Sequence, residues 1–424
     1  MTNALDQART LLTDGDVPGA VRALRPLAET TPLTELAAFT AQLAAAVDFD
    51  DLAQAASAVA ADPSNAESLT VFGYECIERG ISFLAVPVLR EALRRGPDSH
   101  LALTELTTAL EDEHRHAEAA ATLAAHTPIL RPWPERYLLT YNLLLSGRTA
   151  AARTEFDALP DPDDDRWLYA RDRVGRMLAR ADRAAHASAL DHHDLRGWHF
   201  TLTGGYLATY SPYGFAAGMS GRWAYLGDSV QNCRRGLDRL ALILAAAGRA
   251  PRSVSLLPGR ADRILGLAAA DLLGLPAREY EPGSPDTVVI AYDLNGVDGE
   301  LLSTLKERAD GQVLYEHASC WTDPAPVSAD AVGLLVQTVV EPWGGGFRIG
   351  DDGPEDLPAD ARPEHDIAAD IIAADPAPDP GDGETPDDPD TALSAFVTAT
   401  RDTWLTGPRT PERSPGPVRS SRFG

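Results

Sequence analysis

A spacing of 34 residues, repeated through the first half of the chain, limits its architecture more than any other feature. Gly15, Ala20, Leu24 and Pro32 mark one unit, and Gly80, Ala85, Leu89, Ala92 and Pro97 mark a later one. Leu69, Phe72 and Cys76 recur 34 positions on as Leu103, Leu106 and Leu110, and Ala85 and Leu89 recur as Ala119 and Leu123. A further unit carries Leu139, Leu143, Gly147, Ala152 and Phe156 and closes near Pro160. Within each unit the apolar residues fall three and four apart, which is the period of a helix face. Such a period, with small residues where helices must approach closely, describes helix pairs that bury their faces only by stacking on neighbours.

The 34-residue segments resemble the tetratricopeptide repeat family. The resemblance covers roughly residues 1–187 and departs from the family where a large aromatic is expected early in a unit, since Ala4 and Leu69 stand there. It implies an α-solenoid that binds a protein partner on its concave face. The stretch 34–62 keeps the pattern poorly, and Arg166–Ala187 reads as a closing helix.

Charge narrows the partners. The chain has 424 residues and a formal net charge of −26, which opposes docking on nucleic acid or anionic membranes. Fifteen acids and one arginine, Arg362, lie between Asp351 and Asp390. Lys306 is the only lysine, in Leu305-Lys306-Glu307, so no Walker phosphate loop exists. The arginine bias, with abundant Ala, Gly, Pro and Asp, fits a GC-rich bacterial genome. Cys76, Cys233 and Cys320 are too few and too dispersed for a disulfide framework, and the N-terminus lacks signal-peptide character. A cytoplasmic protein is expected.

Composition changes near His192-His193-Asp194-Leu195-Arg196-Gly197-Trp198. From there, residues 195–348 read as an α/β domain of Rossmann-like type with a mainly parallel sheet. Trp198–Tyr225 is predicted to be a strand and a loop or hairpin. A helix opens at Asp228-Ser229-Val230. Strands follow at Val254–Leu257, Ala277–Glu279, Thr287–Ala291 and Val313–Glu316, with helices at Arg263–Leu273 and Leu301–Arg308. Ligands of such sheets bind beyond the carboxyl ends of the strands. Those ends carry Pro258-Gly259-Arg260-Ala261-Asp262-Arg263 and Tyr292-Asp293-Leu294-Asn295-Gly296-Val297-Asp298. Arg260 and Arg263, at a helix start, are candidate anion contacts.

Val288-Val289-Ile290-Ala291-Tyr292-Asp293, with the helix from Gly266, is similar to the type I phosphoribosyltransferase fold. That resemblance implies Asp293 on a ribose or metal, Asn295 in the phosphate loop, and Arg260 and Arg263 on phosphate. Only one member of the family's acidic pair is present, and Asp298 puts a negative charge where a phosphate would lie. Catalysis is therefore expected to have been lost, and no catalytic residue, cofactor or metal site is expected. The cluster His192, His193, Asp194 and His199 lacks metal-ligand spacing and reads as a linker. His317 and Cys320, with Glu316 nearby, form a candidate thiol–imidazole pair. Trp321 and Trp343 read as core or interface anchors.

Residues 349–390 are predicted to be an acidic, Pro-rich disordered linker with a brief helical patch at Ile367, Ile371 and Ile372. Residues 391–406 form a candidate amphipathic helix whose Phe396 and Trp404 dock on this chain or a partner, and 407–424 read as a disordered tail. The functional expectation is an interaction scaffold with a degenerate α/β domain. The alternatives are a phosphoribosyl- or nucleotide-handling enzyme and a small-molecule sensor, both taking a phosphorylated ligand.

Overall fold

The computed structural model describes residues 4–350 and 353–421. It divides into two compact units, 1–169 and 170–424. The first contains α1 (Ala4–Thr13), α2 (Val17–Leu24), α3 (Leu33–Ala45), α4 (Asp50–Ala61), α5 (Ala66–Glu78), α6 (Ser82–Arg95), α7 (His100–Asp112), α8 (His116–Ala125), α9 (Tyr137–Leu145) and α10 (Thr149–Asp157). Its contacts run mainly between helices adjacent in sequence, from α1 on α2 to α9 on α10.

The sequence period is written into the backbone. Left-handed residues recur at Gly15, Asp48, Gly80, His114 and Gly147, each in the turn inside a helix pair. Glycine adopts this conformation without penalty, whereas Asp48 and His114 adopt it at a cost. Five residues after each turn stands an alanine: Ala20, Ala53, Ala85, Ala119 and Ala152. All but Ala53 are fully buried, so the second helix of a pair meets its neighbour through a methyl group. The stretch 34–62 thus shares the register through Asp48 and Ala53, although its glycine is missing. Caps fix where helices begin: the Asn65 carboxamide accepts N–H bonds from Glu67 and Ser68, and Ser99 accepts one from Ala102.

The second unit is built on a seven-stranded sheet. Its strands are β1 (Tyr206–Leu207), β2 (Trp223–Gly227), β3 (Ser253–Leu256), β4 (Ala277–Glu279), β5 (Thr287–Ala291), β6 (Val313–Cys320) and β7 (Ala331–Val340). The order is β1-β7-β6-β5-β3-β4, with β2 also on β7, and every pairing is parallel. The chain runs outward from β3 to β4, then returns to β5 on the other side of β3. The switch point therefore lies between the carboxyl ends of β3 and β5. Further helices include α11 (Leu168–Ala187) and α15 (Gly299–Leu305), and α13 (Val230–Ala246) and α14 (Arg260–Leu273) cover the sheet.

Several expectations need correction here. Residues Leu195–Thr203 form a helix, α12, capped by Asp194, whose carboxylate accepts the Gly197 N–H. Trp198 and Phe200 mimic strand alternation, but the cap and Gly204 at the carboxyl end make a helix. Strands β1 and β2 do not form a hairpin; both lie parallel to β7, a strand the sequence reading lacks. Residues 364–389 are not an unstructured linker. Helix α16 (Glu364–Ala373) buries Ile367, Ala368 and Ile371 and packs on α13 and α14. Asp388 is then held by Arg196 and Arg239. Asp351 and Asp352 lie outside the described residues.

Helix α17 (Asp390–Thr400) packs on α13 and presents Phe396 to the rings of Phe200 and Tyr206, and the Trp404 indole donates to the Asp330 carbonyl. Both aromatics therefore dock within the chain itself. Nor is the tail free: Arg409 is fully buried and its guanidinium grips Asp330 at 2.7 and 3.0 Å, with Arg308 on the same carboxylate at 2.7 Å. Residues 422–424 lie outside the described residues. Among the described residues no helix is long and apolar enough to cross a membrane.

Candidate functional site

The switch point forms a cleft between the start of α14 and the end of β5. Arg260, Asp262, Tyr292, Asp293, Glu341 and Trp343 line it. Gly259 caps α14 because a side chain there would collide with the Asp262 carboxylate, 2.4 Å from an ideal Cβ. Asp262 in turn accepts the Tyr292 N–H at 2.7 Å, tying the helix start to the strand end. Burial pushes the Asp262 carboxyl up to about 6, opposed by that hydrogen bond. Asp293 caps the turn over Leu294–Gly296 through the Asn295 N–H, and burial raises it too. Burial also raises Glu341, with Arg260 working in the opposite direction.

Of the four residues expected to hold a ligand, Arg260 and Asp293 line this cleft. Arg260 donates to the carbonyls of Asp360 and Arg362 at 2.7 and 3.1 Å. Arg263 is bound to Glu279 and Glu364, and the Asn295 carboxamide donates to the Asp323 carbonyl. Three carboxyl groups therefore face the crevice, and its nearest cations are engaged by the chain's own acceptors.

Behind Tyr292 lies a buried polar cluster. The Tyr292 hydroxyl donates to Asp228 Oδ2 at 2.8 Å, and His317 Nε2 meets the same oxygen at 3.0 Å. Cys233 Sγ lies 3.6 Å from Asp228 Oδ2 and 3.7 Å from His317 Nε2. Burial opposes charge on Asp228, yet His317 and the donated hydrogen bonds hold its carboxyl below the usual range. Burial and the adjacent Asp228 push the Cys233 thiol well above its ordinary value. Space for the imidazole comes from two glycines: a Cβ on Gly236 or Gly333 would stand 2.9 or 3.0 Å from His317 Nδ1 and closer still to the Tyr315 hydroxyl.

The sequence reading paired His317 with Cys320, three residues apart. Odd spacing on a strand sends the two side chains to opposite faces, and His317 meets Cys233 instead. Cys320 lies near Thr322 and the Gln337 carbonyl. A sequence signal for the true partner existed in Asp228 and Cys233, five residues apart across a helix start. His192 and His193 are exposed, Asp194 serves as a cap, and on α12 itself the His199 Nε2 is buried without a partner. His199, Arg222, Glu316, Cys320 and Trp321 line a second cavity, largely apolar, on that side. Burial pushes Glu316 up to about 8 there.

No protein-family model matches the chain, and no curated protein is found that matches it.

Proposed function

We propose that the chain is a protein–protein interaction scaffold whose N-terminal unit is a tetratricopeptide-like solenoid and whose α/β unit has no catalytic role. The observation that carries this reading is the apolar surface left on the first helices of successive pairs. Val71 and Tyr74 on α5 and Leu101 on α7 are 47, 43 and 60 % exposed. Scattered apolar residues are ordinary on a surface, but large ones recurring on equivalent helices of a stack supply a face that a partner would cover. Cys76, Cys233 and Cys320 remain thiols, which accords with a reducing cytoplasm.

A phosphoribosyl or nucleotide ligand at the switch point is the alternative, favoured only by the position of Asp293. Three carboxyl groups oppose it, since like charges at close range in a partly buried site repel strongly. Two measurements test the proposal. Affinity capture from the native host should recover a protein partner with the intact chain and lose it with Val71→Asp/Tyr74→Asp/Leu101→Asp. A thermal-shift screen with phosphoribosyl pyrophosphate and nucleotides, with and without magnesium, should show no stabilisation. Stabilisation abolished by Asp293→Asn would replace the scaffold reading with the enzyme or sensor reading.

A further inference from the structure

We propose that Asp228, Cys233 and His317 hold a single divalent transition-metal ion of the zinc class inside the α/β unit. Sequence reasoning expects no metal site; the proposal comes from three residues that the fold alone brings together. Among the described residues they are the one group of three or more metal-capable side chains whose donor atoms converge. Their separations are 3.0 Å (Nε2 to Oδ2), 3.6 Å (Sγ to Oδ2) and 3.7 Å (Sγ to Nε2). Zinc bonds of about 2.0–2.3 Å at tetrahedral angles give edges of roughly 3.3–3.6 Å. The donors therefore stand within a few tenths of an ångström of a coordinating triangle.

The surroundings support the same assignment. Three other buried or part-buried carboxylates are held by arginine, Asp330 by Arg308 and Arg409, Asp388 by Arg196 and Arg239, Glu135 by Arg131, while Asp262 and Glu316 accept backbone N–H groups. Asp228 instead faces an imidazole, a thiol and a phenol, a donor set suited to zinc. A carboxylate and a thiolate together carry two negative charges, which one dication cancels in a site too buried to leave it uncompensated. Outer contacts orient the ligands: Asn232 donates to Asp228 Oδ1 at 3.1 Å, and the Tyr315 hydroxyl lies 3.3 Å from His317 Nδ1. The Tyr292 hydroxyl, 2.8 Å from Asp228 Oδ2, is a further oxygen donor beside the triangle.

Binding balances simply. The Cys233 thiol releases its proton to solvent and the thiolate takes the metal. His317 gives up the proton on Nε2, to Nδ1 or to solvent, so that Nε2 binds the metal while Nδ1–H donates to the Tyr315 hydroxyl. Because the site is closed, the metal enters as the chain folds.

The test uses the full chain, without a histidine tag, from cells supplemented with zinc or with cobalt. Metal per chain is measured after gel filtration, and the cobalt form is examined for a thiolate-to-cobalt charge-transfer band. The expected result is one metal ion per chain and a band abolished by Cys233→Ser but kept by Cys76→Ser and Cys320→Ser. Tyr315→Phe, which keeps the ligands, should weaken binding about 10- to 100-fold. Circular dichroism identifies any variant that fails to fold. A folded wild-type chain with substoichiometric metal from both growths, or a band that survives Cys233→Ser, overturns the proposal.

Discussion

The two units keep their order by opposite means. In the helical unit most packing partners are neighbours in sequence, so each helix pair carries its own instructions and the period repeats them. The α/β unit is fastened by residues far apart: Arg409 reaches Asp330, Arg196 and Arg239 reach Asp388, and Phe396 reaches Tyr206. Local order tolerates a degenerate unit such as 34–62, because its neighbours still supply contacts. Order set by distant ion pairs does not, because a buried charge that loses its partner has no cheap alternative.

The largest expected effect lies in the tail. Arg409→Ala leaves Asp330 with Arg308 alone, and urea unfolding should report a loss of about 3–5 kcal/mol. A loss below 1 kcal/mol would mean that the tail is not part of the fold.

Next comes a pH effect confined to the α/β unit. Glu316 titrates near 8 in the folded state against an ordinary 4.5. Across that interval the unfolded chain has released the proton and the folded chain has kept it, so stability falls as pH rises from 4.5 to 8. Glu316→Gln should flatten the slope and raise stability at pH 8 by on the order of a few kcal/mol, read from melting curves across that range. An unchanged slope would place the charge elsewhere.

Ala85→Leu probes the helical unit, where an overpacked contact should cost about 1–3 kcal/mol. Chemical denaturation followed by helix content should show the loss in the helical unit only; a loss shared by both units would break the comparison. The smallest effect is expected at Asp48, an exposed left-handed residue. Asp48→Gly relieves that conformation and should gain under about 1 kcal/mol. A destabilising result would show that Asp48 holds its turn by a contact rather than by conformation.

The same contrast explains what could be read from the sequence. Ala20, Ala85, Ala119 and Ala152 announced close helix contacts because spacing alone encodes them. Thr287–Ala291 was legible as a strand with its observed limits because it is rich in β-branched residues, and Ala277–Glu279 was placed by the regular alternation of strands and helices rather than by its own residues. Asp48 and His114 hid two turns of the repeat, because neither residue advertises a left-handed backbone. The helical patch at Ile367, Ile371 and Ile372 was legible and corresponds to α16, but its docking on α13 and α14 was not, since three apolar residues among many charges do not say what they pack on. Asp388 and Arg409 looked like solvated charges because their partners are more than 70 residues away. At the cleft, the loop positions of Arg260 and Asp293 were legible, but the pairing of Cys233 with His317 depends on the sheet order, which no local pattern gives.

One measurement bears most directly on the scaffold reading. A photo-crosslinking amino acid placed at Tyr74 or Leu101 of the intact chain, and in parallel at Asp293, should capture another protein in the native host only from the first two positions. Crosslinks to a protein from Asp293 and none from Tyr74 or Leu101 would contradict it and move the working surface to the α/β unit.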